Sequence, residues 1–149
     1  MNGTAAAALA VEQTIRIRAP RERVFRLLTD LAEIPRWMPV TAFEPRVGGR
    51  VEFVKGEMHA EGEVIEFEPP RAIAYTWDWR NQPLGARTEV RFELAEDGDG
   101  TLVHLTHRGF REEDQRARHT VGWTHYAARL ATVAEGGDPG PDLMGEADR

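Results

Sequence analysis

The chain has 149 residues, carries 25 acidic against 19 basic side chains for a formal charge of −6, and contains no cysteine. That length accommodates one domain whose core needs no covalent staple, and the missing thiols exclude disulfide scaffolds, thiolate metal sites and cysteine nucleophiles. The acidic balance, with Lys55 the sole lysine among scattered arginines, argues against nucleic acid or an anionic membrane as partner, since such surfaces are met by a basic excess on one face.

Residues 1–10 are small and featureless, with no positive region before the alanines, and no apolar run reaches the roughly 18 residues of a membrane span. A cytoplasmic protein is expected. Residues 136–149, where Gly and Pro alternate with acidic side chains, read as a second flexible tail, which leaves residues 11–135 as a single domain. Within it, Val11, Ile15 and Ile17 alternate with mostly polar neighbours, the period of a strand with one wet face. Pro20 then suits the first turn of a helix, and Val24, Phe25 and Leu28 recur at helical spacing through Thr29. Asp30 with Glu33 resembles a capping pair for a second short helix, which Pro35 and Pro39 stop at about Arg36 or Trp37.

From Phe43 to Arg108 the period changes to two, interrupted at Gly48-Gly49, Lys55-Gly56, Pro69-Pro70, Asn81 to Gly85 and Glu96 to Gly100. This predicts five or six antiparallel strands. Ile73, Tyr75, Trp77 and Trp79 share one face, as do Thr88, Val90, Phe92 and Leu94, and Val103, Leu105 and His107, while Glu89, Arg91, Glu93 and His104 face water. Glu113 to Glu135 reads as the longest helix, with His119, Trp123, Tyr126, Leu130 and Val133 on one stripe. The order of elements is an α+β pattern: one strand, two short helices, a curved antiparallel sheet, and a long C-terminal helix that the sheet wraps.

Several segments in this order resemble the START-like, or SRPBCC, helix-grip superfamily. They are Ala19-Pro20-Arg21-Glu22-Arg23-Val24-Phe25 with Leu28-Thr29-Asp30, Trp37, Gly62-Glu63-Val64 leading to Glu68-Pro69-Pro70-Arg71, Tyr75-Thr76-Trp77, Gly100-Thr101 with Leu105-Thr106-His107, and His119 with Gly122-Trp123. The nearest likeness is to bacterial proteins of the activator-of-Hsp90-ATPase-homologue type, with a neighbouring likeness to polyketide cyclase/dehydratase-like members. The resemblance implies a helix-grip (START/Bet v 1-like) fold with an apolar cavity between sheet and long helix. It does not fix function, because one fold hosts many.

The ligand-binding candidates are Trp37, Tyr75, Trp77, Trp79, Phe92, His107, His119, Trp123, Tyr126 and Leu130, and the expected partner is a small apolar molecule, aromatic or polycyclic. Of the five histidines, His104 and His107 point to opposite faces of a strand, and His119 and His125 diverge on the helix, so no metal is expected. No nucleotide or dinucleotide motif occurs, and no cofactor is expected. His107 and His119 are placed to meet at the cavity mouth. They either orient a ligand and satisfy the local backbone, or, with Tyr126, serve as acid or base in a cyclase or dehydratase. A protein-interaction module is the third reading, and a homodimer stays open. Asp78, between two inward tryptophans, is expected to be a solvated sheet carboxylate.

Overall fold

The computed structural model describes residues 9–144. Strand β1 (Leu9–Ile17) leads into helix α1 (Arg21–Thr29), followed by β2 (Val40–Phe43), β3 (Arg50–Lys55), β4 (Met58–Glu68), β5 (Ala72–Trp79), β6 (Thr88–Asp97), β7 (Gly100–Phe110) and the long helix α2 (Glu113–Ala134). The strands form one antiparallel sheet in the order β1-β7-β6-β5-β4-β3-β2. Each break in the period-two pattern is a hairpin, and β1 closes on β7 from the far end.

Curvature has local causes. Register shifts interrupt the β2–β3 and β4–β5 ladders, and such bulges bend a strand and increase its twist. At Gly62 a Cβ would lie 1.7 Å from the Thr76 carbonyl oxygen, and at Gly109, with φ of +106°, it would lie 2.3 Å from that of Arg87. Only glycine allows the backbones to approach so closely there.

Helix α2 lies in the concavity with Trp123, Tyr126, Leu130 and Val133 buried and Val121 exposed, the predicted stripe. Its C-terminal end is fixed by Arg23 of α1, whose guanidinium donates to the carbonyl oxygens of Val133 and Ala134 at 3.1 and 3.0 Å. These are last-turn carbonyls, of which Val133's also accepts from Gly136 N at 3.0 Å, and a cation there meets the negative end of the helix dipole. On the convex face, Arg91 bridges Glu66 and Glu93, the polar side that strand alternation predicts.

Two expectations are corrected. The second short helix is a single 3-10 turn, Ile34–Arg36. Asp30 accepts a hydrogen bond from Ala32 N at 2.9 Å and Glu33 pairs with Arg36, so the two acids make local turns rather than a helix cap. Strand β1 also begins two residues earlier than expected, at Leu9. Residues 136–144 have no regular secondary structure but are held against α2, as described below, and the rest of the expected tails, 1–8 and 145–149, lies outside the described residues. Among the described residues no helix is long and apolar enough to cross a membrane.

Candidate functional site

A cleft of about 690 Å³ opens between the N-terminal half of α2 and strands β3 to β5. Its floor is aromatic because three elements each contribute rings on their inward periodicity. Phe53 of β3 sits 5.5 Å from Trp77, 5.8 Å from Trp79 and 5.9 Å from Tyr126, all edge-on, and Trp77 lies 6.0 Å from Trp123. Edge-to-face contacts at these distances are favourable and fix the rings relative to one another. The rim is polar, with Glu57, Asn81, Gln82 and Arg118.

Of the predicted ligand residues, the structure brings Trp77, Trp79, His119, Trp123 and Tyr126 to the cleft. Trp37, Tyr75, Phe92, His107 and Leu130 do not line it; each is buried beneath or beside it. The physical reason is that α1 and the 3-10 turn fill the other half of the concavity. Trp37 donates to the Leu27 carbonyl oxygen at 2.6 Å, and Phe92 packs edge-on against Trp123. Phe53, Met38, Leu84 and Met144 line the cleft without having been predicted. The alternation Val51, Phe53 carries the signal for Phe53, whereas nothing in the sequence marks Met144.

His107 and His119 do meet, with ring centroids 5.1 Å apart, and Phe110 lies 4.5 Å from the first and 4.7 Å from the second. Their protonation follows from their partners. An indole N–H can only donate, so Trp123 Nε1 donates to His107 Nδ1 at 3.0 Å and Trp79 Nε1 to His119 Nε2 at 2.9 Å. His107 Nε2–H then donates to Thr88 Oγ1 at 2.9 Å, whose hydroxyl passes on to the Trp77 carbonyl oxygen at 2.6 Å. His119 Nδ1–H donates to the Gln115 carbonyl oxygen at 2.6 Å. All four ring nitrogens are occupied, and the two imidazoles hold the indoles of Trp123 and Trp79 in fixed orientations.

Both histidines are therefore neutral, with pKa values below the ordinary histidine range. Burial is the main cause for His107, reinforced by His119. For His119 burial again leads, opposed by the bond to Gln115 and assisted by the charge of Arg118. An unfolded histidine takes a proton near pH 6.5 that the folded one refuses, so the stability they lend is complete above that pH and is lost as the pH falls toward the depressed folded value. Between about pH 7.5 and 5.5, urea denaturation should show a loss of up to about 1.4 kcal/mol for each histidine kept neutral. An unchanged midpoint across that window would mean the imidazoles are not held neutral.

Asp78 has a structural duty beyond the expected solvation. One carboxylate oxygen accepts from both Trp79 N and Leu84 N at 2.8 Å, which folds the 80–84 loop over the cleft mouth. At the β3–β4 hairpin the ligand-type atoms of Glu52, His59 and Glu61 lie within 4.8 Å of one another, a grouping that sequence spacing did not suggest. Both carboxylates already meet arginines, Arg50 on Glu52 at 3.0 Å and Arg80 on Glu61 at 3.3 Å, while His59 bonds Glu52 at 2.6 Å. The cluster therefore presents little uncompensated negative charge to a cation.

A family model described as Activator of Hsp90 ATPase homolog 1-like protein matches residues 18–135. Comparison with curated proteins gives no match. Among solved structures, CalU16 from Micromonospora echinospora is 29% identical, with a TM-score of 0.73 over 92% of this chain and 80% of that one. Protein MLL2253 from Mesorhizobium loti is 26% identical, with a TM-score of 0.76 over 83% and 94%. The Aha1 dimer from Colwellia psychrerythraea, 22% identical with a TM-score of 0.75 over 87% and 98%, shares the fold.

Proposed function

This chain belongs to the Activator of Hsp90 ATPase homolog 1-like family, and from that premise we propose that it binds a small, largely apolar molecule, aromatic or polycyclic, in the cleft between the sheet and α2. The observation that carries the reading is a cleft of about 690 Å³ floored by Phe53, Trp77, Trp79, Trp123 and Tyr126. Pockets of this size with an aromatic lining and a few polar groups suit small-molecule ligands. The two histidines keep two of the indoles in place before any ligand arrives, which lowers the ordering cost of binding.

The cyclase or dehydratase reading has less support. General acid or base catalysis needs a nitrogen within reach of the substrate, and the nitrogens of His107 and His119 are engaged by indoles, Thr88 and the Gln115 carbonyl. His107 is, besides, fully buried. A role in protein interaction rests on the family name alone. Titration of tryptophan fluorescence with a panel of polycyclic, acyl and phenolic compounds tests the binding reading. Saturable quenching is expected, with Trp123→Phe weakening it about tenfold, a loss of ~1.4 kcal/mol. A folded protein that gives no saturable signal with any of them contradicts it.

A further inference from the structure

The segment after α2 places an internal carboxylate at the edge of this cleft. Asp142 presents one oxygen to Tyr126 Oη at 2.7 Å and the other to His125 Nε2 at 2.8 Å. A carboxylate only accepts, so both ring groups donate, and the two consecutive residues of α2 grip the carboxylate at both oxygens. Met144 N adds a third bond at 3.0 Å. Two of the residues in this arrangement, Tyr126 by its side chain and Met144 by its backbone N–H, also line the cleft. Arg129, one turn further along α2, holds the same segment by its Pro139 and Gly140 carbonyl oxygens at 3.4 and 3.0 Å.

We infer that the place of the Asp142 carboxylate is a carboxylate subsite of the cleft, so that the ligand is an apolar carboxylic acid whose acid group displaces Asp142 from Tyr126 and His125 while its apolar body lies on the aromatic floor. The inference rests on the cleft being a ligand site. Hydrogen bonds to an ionised group are the stronger kind, and a hydroxyl with an imidazole N–H at the end of an aromatic trough discriminates an acid from its ester. Burial acts to raise the Asp142 pKa, yet the bonds from Met144, Tyr126 and His125 leave it below the ordinary carboxylate value, so these donors favour an anion. The segment that carries Asp142 has no regular secondary structure, so an outside acid that takes its place breaks the side-chain bonds to Asp142 without opening a helix or a sheet ladder. Because Asp142 is tethered, it competes with an outside acid at a high effective concentration, and the wild-type protein reads as self-occupied.

The test is binding of 1-naphthylacetic acid and of its methyl ester to the full chain at pH 7.5, followed by tryptophan fluorescence. Asp142→Ala should bind the acid at least tenfold more tightly than wild type with the ester little changed, and adding Tyr126→Phe should remove the gain. Asp142→Asn, which keeps the segment's size and loses its charge, should fall between them and answers the same question if Asp142→Ala does not fold. Equal change for acid and ester in both variants overturns the carboxylate subsite while leaving the cleft as a binding site. Absence of binding by either compound to any folded variant overturns both.

Discussion

Trp77→Ala is expected to lower stability by about 3–5 kcal/mol, the range for truncating a fully packed aromatic side chain, against a typical total of about 5–15 kcal/mol for a whole domain. Trp77 joins the strands to the helix: it is 4% exposed and touches Phe53, Tyr75, Trp79, His107 and Trp123 ring to ring. Its indole N–H nevertheless meets no acceptor among the described residues. Trp77→Phe removes that orphaned donor together with part of the ring, so it should cost clearly less than Trp123→Phe, which deprives His107 of its donor. Urea denaturation of the three variants decides the matter. Equal losses for the two phenylalanine variants would mean that hydrogen bonding does not distinguish these indoles.

His107→Leu should also be costly, because the buried Trp123 N–H loses its acceptor, worth about 1–3 kcal/mol alone, and Thr88 loses its donor. The same substitution made on top of Trp123→Phe should cost less by a comparable amount, since the orphaned donor is then gone. A double-mutant cycle measures that difference as a coupling energy. Additivity within about 0.5 kcal/mol would show that the two rings are merely neighbours. Binding and turnover assays on His107→Leu separate two roles for that residue. As a positioning residue its loss shifts ligand affinity and stability together, whereas a general base would lose turnover of ~10²–10⁴-fold with affinity nearly kept.

Much of this architecture is written in local periodicity. The inward sets on β5, β6 and β7 and the stripe from His119 to Val133 follow directly from periods of two and 3.6, and they place Trp77, Trp79, Trp123 and Tyr126 on facing surfaces. Periodicity says which face a side chain takes but not what lies above it. Trp37, Tyr75, Phe92 and Leu130 are buried, yet other elements lie over them: Phe43 of β2 on Tyr75 and Trp123 of α2 on Phe92, while Arg23 joins α1 to the end of α2. The pairing of each histidine with an indole was equally hidden, since it joins residues 16 and 40 positions apart. The docked tail was the least legible feature. Its composition reads as unstructured, and what holds it is three side chains of α2, His125, Tyr126 and Arg129, that carry no visible signal of a distant partner.

The most direct test of the cleft as a ligand site uses the four tryptophans as reporters in one experiment. Each indole N–H gives its own resonance in a ¹⁵N-labelled sample, and three of the rings, Trp77, Trp79 and Trp123, line the cleft while Trp37 is buried away from it with its N–H on the Leu27 carbonyl oxygen. Titration with a polycyclic aromatic compound should move the three cleft resonances along saturable curves with one common dissociation constant and leave Trp37 in place. Saturation that moves Trp37 as much as the others, or no saturable movement of any cleft indole across a chemically varied panel, would contradict the account.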